Sequence, residues 1–295
     1  MSYENQMNLI AKLNVDRVKN IKEIKDLSEI EFKVYSQWGE DGIIQYLINK
    51  IPIKNKYFIE FGVQNYRESN TRFLLMNNNW SGLIMDSSEE NITYIKNDPI
   101  YWQYDLNAKK AFITKDNIND LIEEEQVNGE IGLLSVDIDG NDYWIWEAIK
   151  NIDPAIVICE YNSILGNSAK ITIPYKEDFY RTEAHYSNLY FGASLPALKD
   201  IAEKKGYTFV GCTQAGNDAF FVKNKYIKYL NKLETKAHYV YSKFKESRNL
   251  DGNLTYIRDK ERIKLIQDLE VLNIENNELM LIKQLLETNQ LSYSI

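Results

Sequence analysis

Residues Tyr57 to Thr71 read YFIEFGVQNYRESNT. A short apolar run ends on an acid, Glu60, a glycine follows at Gly62, and a polar turn leads into a helical-looking NTRFLL. In an open α/β sheet, ligands bind outside the carboxyl ends of the strands, where the first strand turns toward its helix. A pyrophosphate site there wants several glycines and a bare helix N-terminus. This turn has Gly62 alone and two carboxylates, Glu60 and Glu68, which repel phosphate and favour a cation.

From that stretch outward, strands and helices alternate. Apolar strand candidates are 57–62, 81–86, 131–139 and 155–162, with helices at about 70–78, 89–96, 116–126 and 142–150. The helix ASLPALKDIAEKKG closes on Gly206, and a GND turn joins strands at 208–212 and 219–224. A hairpin beside a parallel set predicts a Rossmann-like, doubly wound mixed sheet in an α/β fold. Upstream, Ser36 and Asp41 are candidate starts for a helix whose apolar face is Ile43, Ile44, Leu47 and Ile48. Three segments follow: N-terminal helices over 1–34, the sheet domain over 35–224, and a C-terminal helical extension over 225–295. In that extension Leu and Ile recur at three- and four-residue spacing, which predicts amphipathic helices packed on the sheet or on a second subunit.

Of the 295 residues, 44% are hydrophobic and 26% charged, as in a globular protein with a substantial core. A formal charge of -8 argues against nucleic acid as the main partner. No stretch reaches the ~18 apolar residues of a membrane span, and the start MSYENQMNLIAKLN lacks the pattern of a signal peptide. The expected location is therefore cytoplasmic. With two cysteines and two histidines, thiolate or histidine-rich metal centres are excluded, so any metal must be held mostly by oxygen.

Candidate site residues gather at the predicted strand ends. Asp86 closes the second strand 26 residues after Glu60, where an acid commonly takes the ribose hydroxyls of an adenosine cofactor. Ser87 or Ser88 suits the cap of the helix that follows. Asp105, expected after a third strand, would meet an adenine amino group. The densest cluster is LLSVDIDGNDYWIWEAI, which delivers Asp137 and Asp139, with Asp142 as an ordinary helix cap. The neighbouring strand ends with Glu160 and Asn162, and Asp139, Glu160 and Asn162 together form an all-oxygen set suited to Mg²⁺. His185 is the alternative general base, and Tyr186, Tyr190 and Phe191 near it are candidates to stack on a sugar ring. A cofactor bearing an ammonium and a sulfonium and no phosphate, S-adenosylmethionine (SAM), fits the acidic first turn.

At these residues the chain resembles SAM-dependent methyltransferases of the FkbM-like kind. The resemblance covers roughly 35–224 and rests on SQWGEDGII, FIEFGV with the later NT, GLIMD, LLSVDIDGNDYWIWE, IVICEYN, GASLPALKDIAEKKGY and NDAFFV. It implies a class I methyltransferase type of sheet, SAM as donor, and a sugar hydroxyl of a glycan or capsular polysaccharide precursor as acceptor, free or nucleotide-linked. On this sequence it places Gln37, Glu60, Gly62, Asn70, Thr71, Asp86, Ser87, Asp105 and Asp137 with the cofactor. Asp139 and His185 fall to catalysis, and Asp139, Glu160 and Asn162 to a metal. The chain lacks the further glycines of the commonest cofactor loop and has Glu-Tyr-Asn where many metal-dependent relatives carry adjacent aspartates. Two rivals stand beside this reading. Asp137-Ile138-Asp139 also matches the Asp-x-Asp pattern of metal-dependent glycosyltransferases, and the same fold serves non-catalytic assembly proteins, here self-associating through the C-terminal helices.

Overall fold

Apolar residues at both phases of a strand demand cover on both of its faces. In β5 (Ile152–Glu160) of the computed structural model, Ile156 and Ile158 enter one core while Val157 and Cys159 enter the other. Phe58 likewise faces the first core, and Ile59 and Phe61 the second. The structure describes residues 3–230 and 238–292.

The chain opens with α1 (Tyr3–Asn20) and α2 (Glu40–Lys50), then β1 (Tyr57–Phe61), α3 (Arg72–Asn78), β2 (Ser81–Asp86), α4 (Glu89–Asn97) and α5 (Pro99–Gln103). It continues through β3 (Leu106–Lys110), α6 (Ile118–Glu124), β4 (Gly129–Val136), α7 (Asp142–Ala148) and the strand β5. A short β6 (Ile171–Thr172) and α8 (Arg181–Ala184) precede α9 (Leu195–Lys204), β7 (Tyr207–Cys212) and β8 (Asp218–Lys223). Seven strands form one sheet in the order β3-β2-β1-β4-β5-β8-β7. Only β8 runs against its neighbours β5 and β7. This is a mixed, doubly wound α/β sheet. The order reverses at β1, which lies between β2 and β4, so the carboxyl ends of these three strands frame the crevice where such sheets bind ligands.

Local chemistry fixes the entry to α2. Asp41, fully buried, accepts hydrogen bonds from the amides of Val34, Tyr35 and Ser36 at 2.7–2.9 Å. Ser36 Oγ in turn accepts from the Asp41 amide. At Gly42 a Cβ would sit 2.1 Å from the Ile30 carbonyl oxygen, so only glycine lets α2 pack this closely.

The C-terminal segment differs from the helical expectation. Among its described residues, helix is confined to short turns at 224–229, α10 (Glu261–Lys264) and, past a hairpin of β9 (Glu270–Asn273) and β10 (Glu278–Leu281), α11 (Ile282–Glu287). Asparagine chemistry is the reason. Asn273 Oδ1 accepts the Glu275 amide, and Asn277 adopts a left-handed φ of 59°, so the chain turns back where a helix would continue. β9 pairs with β6, forming a small sheet in the order β10-β9-β6. The periodic apolar residues Ile263, Ile266, Val271, Ile282 and Leu285 bury themselves with Ile164, Leu165 and Leu189 in a third core of the same chain. Residues 231–237 of the predicted extension lie outside the described residues.

Candidate active site

The first turn is organised around Glu60. Its carboxylate, buried at the end of β1, accepts from Ser69 Oγ at 2.7 Å, the Asn70 amide at 2.8 Å, the Thr71 amide at 3.0 Å, and Thr71 Oγ1. Burial raises its pKa, and these donors pull it back down. Gly62, at φ +73°, lies so close to the Asp137 carbonyl that a Cβ would come within 1.7 Å of the oxygen. The β1 and β4 loops therefore touch backbone to backbone. Gln64 and Tyr66 also hold left-handed φ values of 47° and 61°, strain of the kind that collects at binding loops.

Beside this turn a cavity of about 290 Å³ opens over β1, β2 and β4. Asp86 lines it. Its Oδ2 accepts from the Gln64 amide at 2.7 Å, and its Oδ1 accepts from the Ser88 amide at 2.8 Å and from Asn91 Nδ2 at 3.0 Å. The carboxylate so fixed keeps accepting capacity toward the cavity. Across from it, Phe112 and Tyr180 stand 5.4 Å apart between ring centres, both partly exposed, as flat walls at the mouth. Asn141 also lines the cavity, and its Oδ1 is buried without a hydrogen-bond partner among the described residues.

A second cavity, about 390 Å³, adjoins the first and shares Gly62, Gln64, Asp137, Asp139 and Arg181 with it. One oxygen each of Asp137, Asp139 and Glu160 lies within 4.8 Å of the others. Burial first, then Asp139 and Asp142, push the Asp137 carboxyl well above the usual range, against the pull of Arg181. Burial and Asp137 do the same to Glu160, whose Oε2 is buried without a partner among the described residues. Asp139 is the open member, 55% exposed and at a left-handed φ of 56°. Arg181 reaches Asp139 Oδ1 at 2.6 Å and also pairs with Glu246. Its guanidinium lies 3.7 Å from the Phe191 ring centre, and its Nε donates to the Asn188 carbonyl. Trp38 and Phe244 stack at 6.1 Å over this cavity.

The structure brings Gln37, Gly62, Asp86, Ser87, Asp137, Asp139 and Glu160 to these two cavities. It assigns other predicted residues to other work. Glu60, Asn70 and Thr71 line neither cavity. Glu60 spends its oxygens on the loop, Asn70 Nδ2 donates to Ser135 Oγ at 3.1 Å, and Thr71 Oγ1 serves Glu60 and Tyr66. Asp105 precedes β3, at the amino end of the sheet, because the third strand begins at Leu106 rather than ending before it. Asn162 is engaged by nearby backbone: its Nδ2 donates to the Leu189 and Phe191 carbonyls at 3.0 Å and its Oδ1 accepts the Ile164 amide, while the carboxylates that come together are Asp137, Asp139 and Glu160. His185 lines neither cavity; its Nδ1 shares a hydrogen bond with Ser187 Oγ, and burial lowers its pKa. Phe191 lies under Arg181, Tyr190 OH donates to the Glu270 carbonyl, and Tyr186 packs on His185. Asp142 turns back to accept the Ile138 and Gly140 amides, closing the acidic loop, and burial raises its pKa to about 6. Phe244 and Glu246 escaped sequence reading, since single residues in an irregular segment carry no spacing; Arg181, at the start of the short α8, and Trp38, inside the SQWGEDGII motif, had no assigned role.

No family model matches the chain, and no curated protein matches it. Among solved structures, the chain is similar to an S-adenosylmethionine-dependent methyltransferase from Clostridium acetobutylicum ATCC 824, at 10% identity and TM-score 0.40, over 62% of this chain and 90% of that one. It is similar to the N-terminal domain of EvdMO1 with SAH bound, at 9% identity and TM-score 0.41, over 73% of this chain and 95% of that one. It is also similar to PKMT2 from Rickettsia typhi, at 13% identity and TM-score 0.40, over 66% and 55% of the two chains. At such identities and TM-scores these likenesses carry no argument, and the functional reading rests on the residues of the two cavities.

Proposed function

We propose that the protein is a SAM-dependent O-methyltransferase acting on a sugar hydroxyl of a glycan or capsular precursor. The observation that carries the reading is Asp86, held by three donors at the end of β2, facing a phosphate-repelling cavity at the switch point of the sheet. The residues present fit the cofactor. Asp86 offers acceptor capacity for ribose hydroxyls, Asn141 Oδ1 is an unused acceptor for an adenine amino group, and Phe112 and Tyr180 offer flat faces to the base. When bound, SAM supplies a methyl group whose bond to sulfur breaks, leaving the electron pair on sulfur, as the new C–O bond forms.

The chain's own contribution is alignment, exclusion of water and handling of one proton. Asp139 is the accessible carboxylate at the junction of the two cavities and takes the proton of the acceptor hydroxyl, with Arg181 fixing its orientation. Asp137, Asp139 and Glu160 are an oxygen-only set of the kind that holds Mg²⁺, which would supply a lowered pKa to a bound hydroxyl. Arg181 already stands against this set as a fixed cation, so the reading does not require the ion. The Asp-x-Asp glycosyltransferase reading has less support, because the first turn carries Glu60 and Glu68 with Gly62 alone and so lacks the glycine-rich cradle of a diphosphate.

Calorimetry with SAH tests the assignment. Wild-type protein should bind, and Asp86→Ala should weaken binding roughly 10- to 150-fold, the equivalent of ~1.5–3 kcal/mol for a charge-supported hydrogen bond. Unchanged SAH affinity in Asp86→Ala would refute the placement of the cofactor.

A further inference from the structure

The second cavity has a charge balance that the sugar assignment does not explain. Its ionisable lining consists of four carboxylates, Asp137, Asp139, Glu160 and Glu246, against the single guanidinium of Arg181. Lys33, a basic side chain of the entry loop, donates to the Gln37 carbonyl and pairs with Glu68. Glu160 Oε2 is buried, lines this space, and has no hydrogen-bond partner among the described residues. A buried acceptor of this kind is stabilised by a donor on whatever fills the cavity. Trp38 and Phe244, which also line it, lie nearly parallel, 20° between ring planes, and Trp38 is 42% exposed. The cavity thus offers an aromatic platform together with carboxyl groups that outnumber its one guanidinium. Aromatic faces and carboxylates together are a chemistry for cations and for ring-shaped donors of hydrogen bonds. It is unfavourable to phosphate, which would meet four carboxyl groups and a single guanidinium already paired with Asp139 and Glu246.

Resting on the methyltransferase reading above, we infer that the acceptor is a phosphate-free, amine-bearing cyclic polyol, such as an amino sugar, its ammonium on the carboxyl groups and its ring on Trp38 and Phe244. A nucleotide-linked sugar is disfavoured by the same groups. The methylated atom remains a hydroxyl oxygen: the O–H proton passes to Asp139, the C–O bond forms, and the C–S electron pair stays on sulfur. The ammonium is a recognition element and takes no part in the bond changes. Glu246 supplies part of that recognition from the C-terminal segment, outside the sheet that carries the rest.

The test compares three forms of one methyl hexoside, substituted at carbon 3 or carbon 6 with hydroxyl, amine or phosphate. Each is titrated at pH 7 into the full chain loaded with SAH, once with EDTA and once with Mg²⁺. The expected result is that an amine form binds at least ~10-fold more tightly than the hydroxyl form in EDTA, and that the phosphate form binds more weakly than either. In Glu246→Gln that preference should shrink several-fold while SAH affinity and melting temperature hold. Should that variant not fold, Asp139→Asn carries the same expectation. The inference is overturned if amine and hydroxyl forms bind equally to wild type. It is overturned equally if the phosphate form binds as tightly as the amine, with or without Mg²⁺. Failure of SAH to bind would sink the methyltransferase reading instead, and the three sugars titrated into the unloaded protein would then decide the charge preference by themselves.

Discussion

Arg262 holds the C-terminal segment at the second cavity, and its removal should release it. The side chain is 2% exposed on α10. Its Nη1 donates to Ser242 Oγ at 2.9 Å and to the Phe244 carbonyl at 3.3 Å, and its Nη2 donates to the Ser242 carbonyl at 2.5 Å. Ser242 is bound in turn to Ser163, just past β5, through paired contacts of 2.6 and 3.0 Å. Phe244 and Glu246, which wall the second cavity, lie two and four residues beyond Ser242. Hydrogen bonds to a charged donor contribute ~1.5–3 kcal/mol each, but three that share one guanidinium do not add. Arg262→Ala should therefore cost ~3–5 kcal/mol, the scale found when one partner of a buried charged network is removed. That is a large share of the ~5–15 kcal/mol that holds a domain folded. Urea unfolding read by tryptophan fluorescence gives the global part. Amide exchange over 241–246 and tryptic cleavage at Lys243 and Lys245 give the local part. Loss of protection and faster cleavage are expected, with Arg262→Lys intermediate because it keeps the charge and loses the fork. A variant within ~0.5 kcal/mol of wild type and with 241–246 still protected would refute the strap.

Two further outcomes concern the acids. Burial raises the Asp41 pKa to about 6, above the ~3.9 of an unfolded chain, so the native state binds this proton more tightly. Its contribution is present in full below the unfolded value and is lost as pH rises through about 6. Linkage gives ~1 kcal/mol between pH 5 and pH 7; Asp41→Asn should remove that difference in urea unfolding at the two pH values, and an unchanged slope would rule the assignment out. Asp139→Asn should lower turnover roughly 10²–10⁴-fold while SAH still binds. EDTA separates the two forms of that prediction, abolishing activity only if the trio holds a metal, and near-normal turnover in Asp139→Asn would discard both.

The sheet was legible in the sequence because its signal is repeated. Every central strand is apolar at both phases, and only a strand covered on both faces needs that pattern. Asp86, Asp137 and Glu160 were legible for the same reason, since each sits at the end of such a run. The hydrogen bonding of such residues was not legible. Glu60 and Asn162 are of the right type at strand ends, but a buried polar group is satisfied by whichever partner is nearest, and here that partner is the chain's own loop backbone. Sequence spacing reports where a side chain begins, not where its hydrogen bonds go. The C-terminal segment shows the converse. Its leucine spacing fits a helix, yet Asn273 and Asn277 bond and bend the backbone locally, and the apolar residues find their core through a hairpin. The consequence reaches the active site. A helix over 238–260 would have no reason to lie across the sheet, whereas an extended segment tied down by Ser163 and Arg262 carries Phe244 and Glu246 to Trp38 and Arg181. The same failure of helical periodicity that hid this region from the sequence is what lets it complete the cavity.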